Sequence, residues 1–409
     1  MVRGSNAKNR PKSLIRQAQA IVATVQQHKG KPSVVRYERH RIGMHPEFNQ
    51  ASGGVATGEK WLYRNCQASL QSLIRISNFL GEPAMKKSLI ALAVLGLSGA
   101  AMAQSSVTLY GVADAGVGRL KVGVSADPAK VGNDASGKTE FTSGSLMNNG
   151  TSRLGVRGTE DLGGGLKAGF QFETGLDLDN GAAGTKTGSG ADAFWARQAN
   201  VWLGGNWGTV KLGRQFTPSY LTTASYELTG VANYSVLANT YNYAGIGSRA
   251  NSAFAYVTPN FGGFTGALAY VTKNDLGLSK AAYDLGLMYS NGPIGAGVSI
   301  NKVANSKTNY QAGAKYSFGN FAVAASYTQA SNQAKAVRRG FGVGAGANFG
   351  AFSVTVDLTR DIKNEWTGKK YTNGVVEAKY ALSKRTFVYG AFLRLDSTNN
   401  YGIGVRHNF

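Results

Sequence analysis

The sequence predicts an all-β chain: a 16-stranded antiparallel transmembrane β-barrel with an inward-folded third loop. Three observations carry this. From residue 104 onward, apolar residues alternate with small or polar ones in short runs, the period-two signature of strands. The gaps between runs alternate strictly between short turns and longer polar loops. One stretch, residues 216–247, refuses to alternate at all.

The chain begins with a different kind of sequence. Residues 1–84 hold three of the four histidines (His28, His40, His45), the only cysteine (Cys66) and scattered arginines, with no repeated pattern. Met85-Lys86-Lys87, the apolar run from Ser88 to Ala100 and Ala101-Met102-Ala103 then form a secretory signal peptide, with cleavage expected after Ala103. Its apolar part is short for a membrane span. A signal of this type works at an N-terminus, so Met85 reads as the true start and residues 1–84 as a disordered, non-native upstream extension. A genuine long leader or a nucleic-acid-binding arm is the other reading of that segment. The mature chain, 104–409, contains no cysteine, which excludes disulfide frameworks, thiolate metal sites and cysteine nucleophiles.

The formal charge of +22 belongs to these parts unequally. Residues 1–84 carry 13 Lys and Arg against 4 Asp and Glu, residues 85–103 add two lysines, and residues 104–409 carry 29 against 18, a net +11. The excess on the mature chain is moderate and does not point to nucleic acid.

Sixteen strands are expected near 105–122, 151–160, 166–178, 193–204, 208–215, 248–258, 264–273, 281–290, 294–303, 309–318, 321–330, 339–349, 352–361, 371–382, 386–396 and 401–409. In 282–290, Tyr283, Leu285, Leu287 and Tyr289 alternate with Asp284, Gly286, Met288 and Ser290; 309–318 behaves alike. In a soluble sandwich the aromatic face is the core; in a membrane barrel it meets lipid and the polar face lines a lumen. The connections decide. Short turns at 161–165, 205–207, 259–263, 291–293, 319–320, 350–351 and 383–385 alternate with long loops, beginning at 123–150 and 179–192. An up-and-down barrel gives that rhythm, and a sandwich has no reason to. The chain ends with Tyr401, Ile403, Val405 and Phe409 on the lipid side and His407 as a polar exception; this last strand must pair with the first, because lipid tolerates no open edge.

The stretch 216–247 holds Tyr220, Tyr226, Tyr234, Tyr241 and Tyr243, with Glu227 as its only charge and Arg214 and Arg249 on either side. A loop of that length in a compact fold is usually functional or disordered, and its tyrosines argue against disorder. It is expected to fold into the pore and narrow it, with the tyrosines packing it to the wall rather than stacking on solutes.

The stretches SSVTLYGVADAGV from Ser105, TSRLGVRGTEDLGGGLKAGFQFE from Thr151, GTVKLGRQ from Gly208, NSAFAYVTPNFGGFTGALAY from Asn251, LSKRT from Leu382 and GVRHNF from Gly404 span the mature chain. Together they resemble the general porins of Gram-negative outer membranes, β-proteobacterial ones in particular. The resemblance implies a homotrimer of sixteen-stranded barrels, each a passive water-filled pore for small hydrophilic solutes and ions, narrowed by the third external loop. It also implies outer-membrane lipid and lipopolysaccharide around the barrel, and assembly machinery that reads the C-terminal strand ending in Phe409. Anion-preferring members set wall arginines against that loop. The matching positions are Arg153 in TSRLGVRG, Arg197 in WARQANVWL and Arg249 in GSRANSAFAYV, and alternation turns all three inward if Leu154, Gln198 and Ala250 point out. Gln198 facing lipid is uncomfortable, which suggests a bulge or rim position for Arg197. Many porins place several loop acids opposite such arginines; Glu227 stands alone here, so a strong transverse field is not expected. Lys211, Lys315, Glu377, Lys379 and Arg394 are expected to line the lumen.

A guanidinium cluster concentrates anions and stays charged at any relevant pH, so a moderate anion preference follows. The plainer reading is that these arginines are wall residues paired with Glu173, Asp284 or Asp357. A substrate-specific channel for phosphate, dicarboxylates or sugars on the same fold is the alternative function. An enzyme is not expected, because the mature chain offers only His407 as an imidazole base. No cofactor is expected and no His/Cys cluster suggests a metal. The Gly-rich GVGAGANFG from Gly342 lies within an alternating strand and is no phosphate loop.

Overall fold

Each alternating run becomes a strand bonded to its neighbours in sequence. The computed structural model describes residues 106–121, 137–186, 192–273 and 280–409; the extension over 1–84 and the signal over 85–103 lie outside the described residues. The strands are β1 (Ser106–Arg119), β2 (Thr139–Ser143), β3 (Arg153–Gly163), β4 (Leu166–Gly175), β5 (Thr185–Lys186), β6 (Asp192–Ala193), β7 (Gln198–Gly205), β8 (Gly208–Phe216), β9 (Arg249–Val257) and β10 (Phe264–Val271). They continue as β11 (Ala282–Asn291), β12 (Ile294–Lys302), β13 (Asn309–Phe318), β14 (Phe321–Ser331), β15 (Val337–Phe349), β16 (Phe352–Asn364), β17 (Thr372–Ala381), β18 (Thr386–Leu395) and β19 (Thr398–Asn408).

All pairings in the main sheet are antiparallel, and β1 pairs with β19 from Val112↔Asn408 to Arg119↔Tyr401, which closes the barrel. Short β2 lies beside the outer half of β1 and β3 beside its inner half, so the two share one position and the wall has sixteen. The β5–β6 hairpin decorates the loop after β4. Tight turns join β3–β4, β7–β8, β9–β10, β11–β12, β13–β14, β15–β16 and β17–β18, where the sequence rhythm puts them. Closure ends at the last residue. Gly111 N donates to Phe409 O and Phe409 N to Gly111 O, both at 3.0 Å. A Cβ on Gly111 would lie 2.5 Å from Phe409 Cε2, so a glycine there is what admits the terminal ring.

Burial is inverted relative to a protein in water. Asp114, Asn148 and Arg338 are 0% exposed while Leu109 is 67% and Ile403 68% exposed. Water would not tolerate a continuous outer face of Leu285, Leu287, Val298, Ile300, Val343 and Leu358, whereas hydrocarbon requires one. Aromatic rings ring that face at two levels. Phe264 and Tyr289 pair near the turns (4.5 Å), as do Phe318 and Phe321 (5.9 Å); Tyr270 with Tyr283 (5.3 Å) and Tyr327 with Phe341 (5.1 Å) mark the loop end.

Two alternation readings need correction. Gln198 and Asn200 are buried on the lumen side and hydrogen-bonded to each other at 3.1 Å, while Val201 and Leu203 face out. Ala250 is likewise buried, in a cluster with Ala253, Val271 and Ala282. A bulge explains it: Ala250 pairs with Gln215 but Ala253 with Gly213, and Ser252 between them has φ 39°.

Candidate functional site

The stretch between β8 and β9 lies inside the barrel. Thr217 ties its neck, accepting from Tyr220 N at 3.2 Å and donating to Gly247 O at 2.7 Å. It caps helix α1 (Pro218–Tyr226), whose Pro218 suits the first turn. After Glu227 the chain crosses to helix α2 (Val236–Tyr241), capped by Ser235. Helix α1 is fastened to the β11–β13 wall: Ser219 N and Oγ donate to Asp284 at 2.8 and 2.6 Å, and Gln311 Nε2 donates to Ser219 O at 2.6 Å. Helix α2 is fastened across the lumen, where Thr240 Oγ1 lies 3.1 Å from Thr359 Oγ1 and 3.0 Å from Asn373 Nδ2.

Glycines make room for this docking. A Cβ at Gly313 would stand 2.5 Å from the Tyr226 ring, at Gly297 2.8 Å from Ser225 Oγ, and at Gly342 2.5 Å from Leu237 Cδ1. GVGAGANFG is thus a seat for the loop. Sequence reasoning excluded a phosphate loop there but missed the seat, whose only signal was glycine at alternate, inward positions.

Tyr226, Tyr234, Tyr241 and Tyr243 are buried and pack the loop to the wall. Tyr234 donates its hydroxyl to Glu377 and receives Asn149 Nδ2 at 2.8 Å. Tyr220 alone stays partly exposed. It stacks on Phe216 at 4.3 Å, and Arg249 covers Phe216 at 4.5 Å. The Phe216 ring thus lies between Tyr220 and Arg249, which puts the start of the helix beside that arginine.

Of the arginines Arg153, Arg197 and Arg249, two share one carboxylate. Arg197 precedes β7, so alternation does not bind it; its Nε lies 2.7 Å and its backbone N 3.1 Å from Glu173 oxygens. Arg153 Nε lies 3.8 Å from the same carboxylate. The plainer pairing reading therefore holds for these two with Glu173. Arg249 has no carboxylate partner among the described residues, and its Nε is buried without an acceptor. Asp284 is taken by Ser219 and Asp357 has an unpaired oxygen, so neither neutralises an arginine.

Arg406 joins the cluster. It donates to Asn149 Oδ1 at 2.7 Å, and a Cβ on Gly150 would lie 2.8 Å from its Nη1 and 3.8 Å from that of Arg153. Residues 145–150 turn inward because buried Asp114 accepts from Gly150 N at 2.7 Å, Tyr389 OH at 2.6 Å and Asn148 Nδ2 at 3.2 Å. The sequence placed this segment in an ordinary external loop.

Glu227 is turned away from the arginines. Its carboxylate accepts from Thr229 Oγ1 and from Val231 N at 2.7 Å, and it shares a space of about 20 Å³ with Asp357 behind the loop. Lys211 and Lys315 lie on inward positions of β8 and β13. Glu377 and Lys379 pair at 2.8 Å, and Lys379 reaches Thr229 O at 3.4 Å. Arg394 does not line the lumen: it follows Val388 and Phe392 on the lipid side of β18, while Leu393 and Leu395 are buried inside against Tyr234 and Val236.

A closed, lipid-faced barrel with a wall-fastened loop and an arginine cluster in its lumen is a membrane pore. A profile of the family described as Gram-negative porin matches residues 88–400, and the chain belongs to that family of outer-membrane channels. Outer membrane porin protein 32 of Delftia acidovorans is 42% identical over 233 residues, 53% of this chain and 59% of that protein's length. An outer membrane porin of Bordetella pertussis is 30% identical over 309 residues, covering 70% of this chain and 72% of the relative. Among solved structures, the anion-selective porin from Comamonas acidovorans superposes with TM-score 0.59 at 28% identity, over 75% of this chain and all (100%) of the other.

Proposed function

We propose that the protein is a passive outer-membrane diffusion channel for small hydrophilic solutes with a moderate anion preference, working as a homotrimer. The observation that carries the selectivity is that Arg153 and Arg197 share the single carboxylate of Glu173 while Arg249, over the Phe216 ring that stacks on Tyr220 at the start of α1, has none. It leaves guanidinium charge uncompensated where the loop narrows the lumen, and such charge attracts anions and repels cations. The likeness to an anion-selective porin supports the same reading, as does the typical trimeric state of the family.

Residues 85–103 serve as a cleaved export signal in this reading, and surrounding lipopolysaccharide and the outer-membrane assembly machinery complete its partners. The substrate-specific alternative draws less support. A sugar slide needs exposed rings along the pore, and four of the five loop tyrosines are buried. Swelling of liposomes holding the folded 104–409 barrel tests the choice. Uptake rates that fall smoothly with solute size and do not saturate mark a general channel; saturable uptake of one solute class overturns it.

A further inference from the structure

On the turn side of the constriction the lumen wall carries a second group of inward residues, on β1, β3, β4, β7 and β8. Arg157 follows Arg153 on β3, about 13 Å further toward the tight turns. Two aromatic rings lean toward it from opposite sides, each over a glycine. The Tyr110 ring crosses Gly155, where a Cβ would lie 2.7 Å from its Cε1. Its hydroxyl accepts from Gln171 Nε2 at 2.8 Å and donates to Glu173 at 3.0 Å. The Trp202 indole crosses Gly169, where a Cβ would lie 2.5 Å from its Cε2. Arg157 pairs with Gln171, which makes it the diagonal neighbour of Gly169, and its guanidinium stands 5.3 Å from the centre of the Tyr110 ring. Lys211 pairs directly with Trp202 on its other side.

These groups are open to the lumen: Arg157 is exposed, and Tyr110, Gln171, Trp202 and Lys211 are half-buried. Neither Arg157 nor Lys211 has a carboxylate partner among the described residues. The acids nearby are matched by other cations. Glu173 is shared by Arg153 and Arg197, and Asp161 pairs in register with Lys167. An indole face between two uncompensated cations suits a flat ring that carries a negative charge at its edge. Trp202 offers the offset stack that aromatic pairs prefer. Arg157, held over Tyr110, presents its fork of N–H groups to a carboxylate, and Lys211 adds a point charge. Two rings on one stretch of wall are too few for a slide along the pore.

We propose that this patch is a weak binding site for aromatic carboxylates in transit, with the ring on Trp202 and the carboxylate between Arg157 and Lys211. The site rests on the anion-preferring channel reading above and adds a solute class to it. Stacking and the pair of cations are each worth roughly fivefold, which puts half-occupancy on the order of 50 mM. Uptake measured well below that concentration stays proportional to it, as in a general channel. The test records chloride current through the folded 104–409 barrel in a planar bilayer as benzoate is added. A second series uses cyclohexanecarboxylate, an acid of the same charge and similar size without a π face. Each current is read against the same channel in chloride alone. Benzoate is expected to reduce the current with a half-effect near about 50 mM, and cyclohexanecarboxylate to need about fivefold more. Trp202→Leu should raise the benzoate half-effect about fivefold and leave that of cyclohexanecarboxylate unchanged. R157Q/K211Q, which keeps the indole, should raise both. Equal half-effects for the two acids in the unmodified barrel, or a benzoate effect untouched by Trp202→Leu, overturn the stacking site. A benzoate effect untouched by R157Q/K211Q overturns the carboxylate contact. A folded barrel with no chloride current at all refutes instead the channel reading on which the site rests.

Discussion

Arg249 and Arg338 show how differently one side chain can act inside this barrel. Arg249 has no carboxylate to share, so its charge acts on passing ions with little compensation. At about 6 Å in water a unit charge is worth roughly 0.7 kcal/mol, about a threefold bias in local ion concentration. Arg249→Ala is therefore expected to lower the chloride-to-potassium permeability ratio roughly threefold, and Glu173→Gln, which frees Arg153 and Arg197, to raise it; zero-current potentials of the two variants check both signs. Arg338 is structural. Fully buried, it holds Asp361 at 3.0 Å through both Nε and Nη2 and Asp396 at 2.6 Å, tying the outer ends of β15, β16 and β18 together. Its removal strands two buried carboxylates, so Arg338→Ala should cost about 3–5 kcal/mol, read as a lower urea midpoint for unfolding in detergent. Residue orientation was only partly legible in the sequence. Arg153 follows simple alternation. Arg197 lies ahead of its strand and the bulge at Ser252 shifts the frame near Arg249, so alternation misplaced their neighbours Gln198 and Ala250. Arg394 failed for another reason: both faces of β18 are apolar, one meeting lipid and the other the docked loop, and composition cannot tell them apart.

At the level of elements, the inward loop was legible because it broke the alternation. Its seat was not, since glycine in a strand has several uses. If close approach is what Gly313 provides, Gly313→Val must push the Tyr226 ring and α1 toward the pore axis. Smaller single-channel conductance and earlier thermal unfolding are expected; a variant with unaltered conductance would show that the loop does not border the ion path. The inward segment 145–150 left no pattern in sequence because its placement rests on hydrogen bonds to Asp114, a contact between distant residues. The last strand was legible to its final residue. Deleting Phe409 removes the closing pair with Gly111 and should leave most of the chain unfolded in refolding assays, seen as loss of the heat-modifiable folded band on gels.

For the whole molecule, strand number, turn rhythm and closure followed from periodicity alone, because a barrel in lipid enforces alternation on every strand. The charge layout did not. Arginines gather on the β3, β7, β9 and β19 side, while Asp284, Asp357 and Glu377 sit on the β11, β16 and β17 wall behind the loop. The wall, more than Glu227, supplies the acidic side. If the export reading is right, the intact mass of protein extracted from outer membranes should correspond to a chain beginning at Gln104. The anion preference itself is tested most directly by the zero-current potential of the unmodified 104–409 barrel in a planar bilayer across a KCl gradient. A chloride-favouring potential is what the uncompensated arginine cluster predicts. A potassium-favouring one would mean that the wall carboxylates govern the pore, and the account of its selectivity would be wrong.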